Sequence, residues 1–353
     1  MIWLNFKMFH KRDIMLASVK TVLAAGFIGL TLSLPSVAFA ETAASIDYRF
    51  IARPNDLSDD FKPADKVDLK FLSLKAIDGS TNDGALWQPT GKAAGDTTIV
   101  IMIHGSGGSY KRAPESALGG RLAAKGYAAL AIDTRQHDNK INTENFFDIR
   151  RDIDAAVYSA RALGYRKIVL QGHSLGNIQV QFYAATNWDR DIQAVMLLGA
   201  FGNLPWKTRN ILVRNEPRFS ELIAAATKAL KDKKLDTPLD VKMSYFTGQE
   251  VPVTGQHFLT YRWDLSSTAD GTYWIKRVPY PLLLVRDQAD MLIQPFETNS
   301  LLAAARSEGS LVQGAELITL PNTKPPSLKG HYFDGNEQPL ADTIVRWLAA
   351  RNL

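Results

Sequence analysis

From Thr97 onward, short apolar runs alternate with amphipathic stretches along the chain. Runs rich in β-branched residues that alternate with helical patterns are typical of β-α-β units and a parallel sheet. We therefore predict an α/β fold with a mostly parallel central sheet flanked by helices. The predicted strands are 97–103, 127–133, 167–171, 192–198, 281–285 and 316–320. The predicted helices are 114–125, 145–163, 175–186 and 338–350.

The alternation stops between about 203 and 276, and we interpret this segment as an insertion that forms a helical cap. It is rich in aromatic residues: Trp206, Tyr245, Phe246, Phe258, Tyr261, Trp263, Tyr273 and Trp274. A lid over an apolar acyl or aryl pocket is one role for them, and ordinary packing is the other. Before the parallel part, residues 66–76 predict antiparallel edge strands, and residues 321–329 predict an irregular loop.

The first forty residues have the layout of a signal peptide. Lys20 precedes an apolar run at 21–34, and the small residues Ala38 and Ala40 follow it. The run is shorter than the roughly 20 residues that span a bilayer. We therefore predict cleavage after Ala40 and a periplasmic or secreted location. Residues 41–353 then form one main domain with no stable membrane anchor. Three methionines are alternative translation starts: Met1, Met8 and Met15.

The net charge of +5 belongs mostly to that N-terminal segment, which holds four basic residues and one acidic residue and leaves +2 for the rest. No run of Lys and Arg interleaved with aromatics occurs, so we expect no nucleic-acid partner. The absence of cysteine excludes disulfides, thiolate nucleophiles and Cys-ligated metals. Because the histidines are scattered along the sequence, we expect no metal, and nothing indicates another cofactor.

The pentapeptide Gly172-His173-Ser174-Leu175-Gly176 matches the Gly-x-Ser-x-Gly pattern of a nucleophile elbow. The pattern alone is weak, because a glycine-serine turn without chemistry has the same letters. Here it directly follows the β-rich run 167–170 and directly precedes the helical run 175–186. Glycines on either side of a sharp strand-to-helix turn avoid clashes with neighbouring backbone. Ser174 is therefore the predicted nucleophile, and the Leu175 N–H a predicted oxyanion donor.

A serine hydroxyl becomes a good nucleophile only when a base removes its proton, so a histidine must lie within reach. Beyond residue 40, His104 and His173 lie in glycine-rich turns, His137 follows a middle strand, and His257 lies in the predicted cap. Only His331 comes after every other candidate partner and before the last helix, which fits the order Ser, acid, His. We predict His331 as the base and keep His137 and His257 as alternatives.

The histidine needs a carboxylate that fixes its tautomer and stabilises the imidazolium. Asp287 and Asp290 both follow the predicted strand 281–285. We prefer Asp290, one short loop past the strand end, because Asp287 is positioned to make the turn itself. No carboxylate follows the strand 192–198 for many residues, which supports this choice.

The second oxyanion donor should come from the glycine-rich turn after the first parallel strand, His104-Gly105-Ser106-Gly107-Gly108. The Ser106 N–H is the first choice and the Gly107 N–H the next. The turn lacks Gly-Lys-Ser or Gly-Lys-Thr and does not match Gly-x-Gly-x-x-Gly, so a nucleotide site is not expected.

These residues together resemble the α/β-hydrolase superfamily, from Thr97 to the C-terminus. Five landmarks follow in family order: His-Gly-Ser-Gly-Gly at 104–108, Asp133-Thr134-Arg135, Gly-His-Ser-Leu-Gly at 172–176, Leu-Val-Arg-Asp-Gln-Ala-Asp at 284–290, and Gly330-His331. The sequence departs from the family pattern at Asp287 and Gln136, where glycine is frequent. The resemblance implies a structural role for Asp133 and Arg135.

The superfamily serves many reactions, so membership does not fix the substrate. The resemblance implies a serine esterase-like enzyme, since the branches that hydrolyse haloalkanes and epoxides use aspartate where this chain has Ser174. Export argues against acyl-CoA. We expect a small-molecule ester or acyl substrate cleaved through an acyl-enzyme intermediate. Two alternatives stay open: a peptidase or amidase with the same triad, and a non-catalytic binding protein that keeps the fold.

Overall fold

A nine-stranded sheet lies at the centre of the part of the chain that the computed structural model describes, residues 45–62, 64–244, 248–265 and 268–353. The predicted signal peptide and the cap residues Tyr245 and Phe246 lie outside these ranges. The strands of this sheet and of a separate hairpin are β1 (Asp47–Ile51), β2 (Val67–Lys75), β3 (Thr81–Pro89), β4 (Thr98–Ile103), β5 (Ala128–Ile132), β6 (Lys167–His173), β7 (Ile192–Leu198), β8 (Met243–Ser244), β9 (Glu250–Val251), β10 (Leu282–Asp287) and β11 (Ala315–Leu320).

The order of strands in the sheet is β1-β2-β3-β5-β4-β6-β7-β10-β11. Strands β1, β2, β3 and β5 pair antiparallel, and every pair from β5 to β11 is parallel. The predicted sheet, parallel with antiparallel strands before it, is confirmed. Strand β3 was not predicted, because Asp83 and Gly84 weaken its strand pattern. A Cβ on Gly84 would lie 2.6 Å from the carbonyl oxygen of Ala131, so glycine is needed where β3 meets β5.

Ten α-helical segments accompany the strands in the described residues. They are α1 (Glu115–Ala124), α2 (Ile149–Ala162), α3 (Leu175–Thr186), α4 (Leu204–Lys207), α5 (Glu216–Lys231), α6 (Gly255–His257), α7 (Gly271–Trp274), α8 (Pro295–Ala305), α9 (Leu328–His331) and α10 (Glu337–Ala349). Helix α8 was not predicted, although its start carries a capping box between Gln294 and Glu297 and a proline in the first turn. None of the described helices is long and apolar enough to cross a bilayer.

The two faces of the sheet bury different layers of helices. On β4, Ile99, Ile101 and Ile103 face one layer, while Val100 and Met102 face the other, as the two-residue period of a strand requires. Helices α2, α3 and α8 pack on the first face, and α1 and α10 pack on the second. Because both faces are covered, the central strands consist almost entirely of apolar residues.

The predicted cap lies between β7 and β10 and contains α4 to α7 and the hairpin β8-β9. Helix α4 continues into a π-helical segment, Thr208–Val213, and α6 continues into another, Phe258–Arg262. The cap has a small core of its own, made by Val213, Phe219, Leu222, Ala226, Met243, Val253 and Phe258. This separate core explains why the segment lacks the strand and helix alternation of the rest of the chain.

Candidate active site

Ser174 stands at the junction of β6 and α3, with φ 51° and ψ −116°. A positive φ is strained for a residue with a Cβ, so neighbouring groups must hold it. Its N–H donates to the carbonyl oxygen of Leu198 at 3.0 Å, and its own carbonyl accepts from the N–H of Asn177 at 3.0 Å. The Asn177 amide donates to the same Leu198 oxygen at 2.8 Å. The elbow is therefore fastened to the end of β7.

The glycines on either side of Ser174 are required by close backbone contacts. A Cβ on Gly172 would lie 2.3 Å from the carbonyl oxygen of Gly176, and a Cβ on Gly176 would lie 2.3 Å from that of Ile103. Both distances are far inside van der Waals contact. The elbow thus packs directly against the end of β4, which brings Ser174 beside the turn that follows this strand.

His331 and Asp290 form a buried pair although they are 41 residues apart. The Nδ1 atom of His331 lies 2.9 Å from Oδ2 of Asp290, and the two side chains are 2% and 1% exposed. Because a carboxylate accepts, Nδ1 carries the proton and Nε2 has its lone pair free. Among the described residues, Nε2 has no hydrogen-bond partner, and His331 lines the same cavity as Ser174. The sequence-predicted serine, histidine and Asp290 therefore meet at one site.

The loop after β10 holds the Asp290 carboxylate in place through backbone hydrogen bonds. Its Oδ1 atom accepts from the N–H groups of Leu292 at 2.8 Å and Ile293 at 3.0 Å. Burial by itself raises the pKa of the carboxyl. The charge and hydrogen bond of His331, together with the loop N–H donors, outweigh burial and hold the pKa of Asp290 below its ordinary value. A carboxylate that stays ionised accepts a hydrogen bond from Nδ1 of His331 and so fixes the orientation of the ring.

Asp287, the alternative acid, has other partners. Its Oδ1 accepts from the N–H of Ala289 at 2.7 Å, and its carboxylate accepts from the side-chain amides of Asn322 at 3.0 Å and Asn336 at 2.7 Å. The side chain is fully buried and shares no hydrogen bond with His331. Asp287 therefore fixes the turn, and Asp290 faces the histidine.

The other histidines have different partners. The Nε2 atom of His173 donates to the carbonyl oxygen of His331 at 3.0 Å, and burial lowers the pKa of His173 to about 3. His137 lies 3.1 Å from the carboxylate of Asp138 and does not line the cavity. His257 is buried in the cap, where burial lowers its pKa well below the ordinary value. No group of three or more His, Asp or Glu side chains in the described ranges could hold a metal ion.

The turn at 104–108 packs against the nucleophile. The N–H of Gly108 donates to the carbonyl oxygen of Gly105 at 3.0 Å, and Gly107 has a φ of 61° that favours glycine. A Cβ on Gly105 would lie 2.9 Å from the Cβ of Ser174. The N–H groups of Ser106 and Leu175 make no hydrogen bond to another described residue, and both residues line the cavity. Both are therefore free to bind an oxyanion.

His104 holds this turn in place through both of its ring nitrogens. Its Nδ1 lies 2.7 Å from the carbonyl oxygen of Gly105, and its Nε2 accepts from the N–H of Thr134 at 3.0 Å. These partners fix a neutral ring with the proton on Nδ1, and burial lowers the pKa of His104 to about 4. His104 thus ties the turn to the residues after β5.

A cavity of about 430 Å³ opens at Ser174 and His331. Its walls are mostly apolar, with side chains from the body of the fold and from the cap: Ile141, Phe201, Leu204, Leu212, Leu292, Ile293 and Leu328. A volume of this size suits a small molecule that is largely enclosed. Several polar side chains also line it, and sequence reasoning did not single them out: Glu115, Lys207, Arg262 and Tyr332.

Three of these polar side chains are buried, namely Glu115, Lys207 and Arg262. Lys207 on α4 donates to Glu297 on α8 at 2.8 Å and to the carbonyl oxygen of Leu292 at 2.6 Å. Glu115 has an unpartnered Oε1 among the described residues, and burial raises its pKa to about 8. Only tertiary packing makes them neighbours of the site. The sequence gives a hint for one further neighbour of the site, Gly199, because this glycine directly follows the predicted strand 192–198. A Cβ at this position would lie 3.2 Å from Cε1 of His331.

The fold and the site together define a class of protein. A family profile described as alpha/beta hydrolase fold matches residues 98–316, which is more than half of the chain. The chain belongs to the α/β-hydrolase fold family. No curated protein sequence matches it.

Solved structures share the fold at low sequence identity. Est1E from Butyrivibrio proteoclasticus, solved with ferulic acid, has a TM-score of 0.56 and 19% identity, and the match covers 77% of this chain and 96% of that one. A hypothetical protein from Pseudomonas aeruginosa, PA2218, has a TM-score of 0.60 and 16% identity, with coverage of 85% and 98%. An acetyl xylan esterase from Paenibacillus sp. R4 has a TM-score of 0.53 and 13% identity, with coverage of 85% and 89%. These likenesses establish the fold alone.

Proposed function

We propose that this chain is a serine hydrolase that cleaves carboxylic esters of small molecules. The observation that carries the proposal is the convergence of a strained serine elbow and a buried histidine and aspartate pair on one cavity. Nucleophile, base and orienting acid are the three parts that acyl transfer through serine requires. The name of the acetyl xylan esterase among the similar structures adds support for ester substrates.

In the proposed reaction, the Oγ of Ser174 attacks the ester carbonyl carbon while Nε2 of His331 accepts the serine proton. The carbonyl oxygen becomes an oxyanion, which the N–H groups of Ser106 and Leu175 bind. The tetrahedral intermediate expels the alcohol, which takes the proton from Nε2 and leaves an acyl-serine. Water then gives a proton to Nε2 and attacks the acyl carbon. The bond between the acyl carbon and Oγ breaks, Oγ takes the proton back from Nε2, and the acid leaves. Asp290 holds the imidazole in position throughout.

The size of the cavity favours a small ester over a polypeptide. Its volume of about 430 Å³ is enclosed partly by the cap residues Leu204 and Leu212. A volume of this size holds a small ester, whereas a peptidase must admit an extended chain on both sides of the scissile bond. Turnover of short peptides faster than of esters would argue for the amidase alternative.

A fluorophosphonate probe tests the proposal directly, because it labels only a serine that a base activates. We expect labelling of the wild-type protein at Ser174 and hydrolysis of p-nitrophenyl butyrate. Ser174→Ala should abolish both and keep the melting temperature, whereas Ser109→Ala, a buried serine that does not line the cavity, should keep both. An unlabelled wild-type protein would favour the non-catalytic alternative.

We also propose that the chain is exported, because residues 1–40 have the signal-peptide layout. Expression in a bacterial host followed by fractionation and N-terminal sequencing tests this. The expected product begins at Glu41 and leaves the cytoplasm. Retention in the cytoplasm with an intact N-terminus would overturn the proposal.

A further inference from the structure

Three basic side chains line the cavity, and they differ in their partners. Arg112 lies 2.7 Å from the carboxylate of Asp138, and Lys207 lies 2.8 Å from that of Glu297. Arg262 makes no ion pair within 4 Å with any carboxylate of the described residues. It is therefore the cavity-lining cation of the described chain whose charge has no carboxylate partner.

The Arg262 guanidinium is deeply buried and only partly hydrogen-bonded. The residue ends the π-helical segment of the cap and is 2% exposed. Its Nε donates to Nε2 of His257 at 3.3 Å, and one terminal nitrogen donates to Oδ1 of Asn142 at 3.1 Å. Both acceptors are uncharged, since burial lowers the pKa of His257 well below its ordinary value. A guanidinium has five N–H donors, so these two bonds leave donors available.

Glu144 is an acidic residue near Arg262, but it forms no ion pair with the guanidinium within 4 Å. It is buried beside the same cluster, yet neither of its carboxyl oxygens has a hydrogen bond within 3.5 Å to a described residue. Its Oε2 lies 3.9 Å from Nδ1 of His257. Burial raises the pKa of Glu144 to about 8, so its carboxyl is mostly protonated at neutral pH. Glu144 attracts Arg262 only at longer range, because no carboxylate of the described residues lies within 4 Å of the guanidinium.

A buried charge without a counter-charge is unfavourable, and an anion that enters the cavity relieves this cost. A planar guanidinium with free donors binds a carboxylate through paired hydrogen bonds. We propose that Arg262 binds a free carboxylate of the substrate, so that the preferred substrates are esters that carry a second, unesterified carboxylate. This inference rests on the proposed esterase function and names its substrate class.

Two matched substrate pairs test the inference. Monomethyl adipate and methyl hexanoate differ by a carboxylate in the acyl part, and 4-carboxyphenyl acetate and 4-carbamoylphenyl acetate differ by one in the alcohol part. We expect the wild-type protein to prefer the charged ester by about tenfold or more in kcat/KM in at least one pair, as a charge-assisted hydrogen bond implies. Equal or lower kcat/KM for the charged ester in both pairs would overturn the inference.

Variants test whether the preference for charged esters depends on Arg262 or on the other positive charges of the protein. Arg262→Gln should reduce the preference to near one, mainly through the KM of the charged ester, and Arg262→Lys should keep part of it. Arg209→Gln is the matched control, because Arg209 also lies in the cap but pairs with Asp264 at 2.7 Å and does not line the cavity. It should keep the full preference. Full preference in a folded Arg262→Gln or Arg262→Lys variant would contradict the inference.

Binding distinguishes this inference from the proposed function. Thermal stabilisation of Ser174→Ala by monomethyl adipate or 4-carboxyphenyl acetate needs no turnover. Saturable stabilisation that disappears when Arg262→Gln is added supports the carboxylate site, even if no ester is hydrolysed. Stabilisation that survives Arg262→Gln, or none with either compound, argues against it. Loss of turnover with every ester, charged or neutral, would instead count against the esterase function.

Discussion

The Nδ1 atom of His331 lies 2.9 Å from the Oδ2 atom of Asp290, and this bond joins the loop after β10 to the short helix after β11. Asp287 is only three residues away but binds the amides of Asn322 and Asn336. Two neighbouring aspartates thus have different partners: Asp290 binds the histidine, and Asp287 binds side-chain amides of nearby loops.

Asp290→Asn should lower kcat about 10⁴-fold, because an amide cannot hold the same histidine tautomer or stabilise the imidazolium. Asp287→Asn should lower the melting temperature while kcat falls less than about tenfold, since it loses a buried charged acceptor of loop amides. Steady-state kinetics with a neutral ester and thermal unfolding measure both effects. A larger loss of kcat in Asp287→Asn than in Asp290→Asn would reverse the assignment of the acid.

Glu115 should contribute a loss of stability as the pH rises from about 5 to 8. Its pKa is about 8 in the folded protein and roughly 4.3 in an unfolded chain. Between these values the folded state holds one proton more than the unfolded state, so the free energy of unfolding falls with pH by at most about 1.4 kcal/mol per unit. Above the folded pKa the contribution is constant.

Glu115→Gln removes this titration, so its stability relative to the wild type should increase over the same pH range. Urea unfolding at several pH values measures the difference. Glu308→Gln, at an exposed position, serves as the control and should show no such trend. A pH-independent difference for Glu115→Gln would mean that Glu115 is ionised in the folded protein.

Gly176→Ala should destabilise the protein by about 3 kcal/mol, because its Cβ would lie 2.3 Å from the carbonyl oxygen of Ile103 and backbone must move. Ester turnover should fall with it, since the elbow carries Ser174. Gly95→Ala is a fitting comparison, because the nearest atom to its Cβ would be 4.0 Å away. Equal stability of the two variants would show that the elbow tolerates a side chain.

Lys207→Met should destabilise the protein by about 3 to 5 kcal/mol, because it leaves Glu297 buried without a counter-charge. Lys207→Met combined with Glu297→Leu should recover part of this loss, since the double variant buries no unpaired charge. Equilibrium unfolding of the single and double variants measures the coupling. Additive losses in the double variant would mean that the pair contributes no coupling energy.

The local pattern of the sequence determined most of the fold. The apolar runs of β4, β6 and β7 and the helical run of α3 predicted those elements closely, because a strand covered on both faces and a buried helix leave strong patterns over a few residues. Strand β3 was not predicted, because Asp83 and Gly84 weaken its local strand pattern. Helix α8 was also not predicted, although a proline stands in its first turn.

The sequence also selected Ser174, because the elbow is a local motif whose neighbours along the chain define it. It ranked Asp290 above Asp287 only by the expected shape of a loop. Their actual partners depend on amides and a histidine more than thirty residues away, which no local pattern encodes.

The tertiary structure alone decided which groups surround the serine. Arg262 and Lys207 belong to a cap that packs through its own small core, and Glu115 belongs to a helix on the other side of the sheet. Their meeting at one cavity follows from the packing of distant elements. The sequence therefore identified the proposed nucleophile Ser174, because the elbow is a local motif, while three-dimensional packing determined the charged groups that surround it in the cavity.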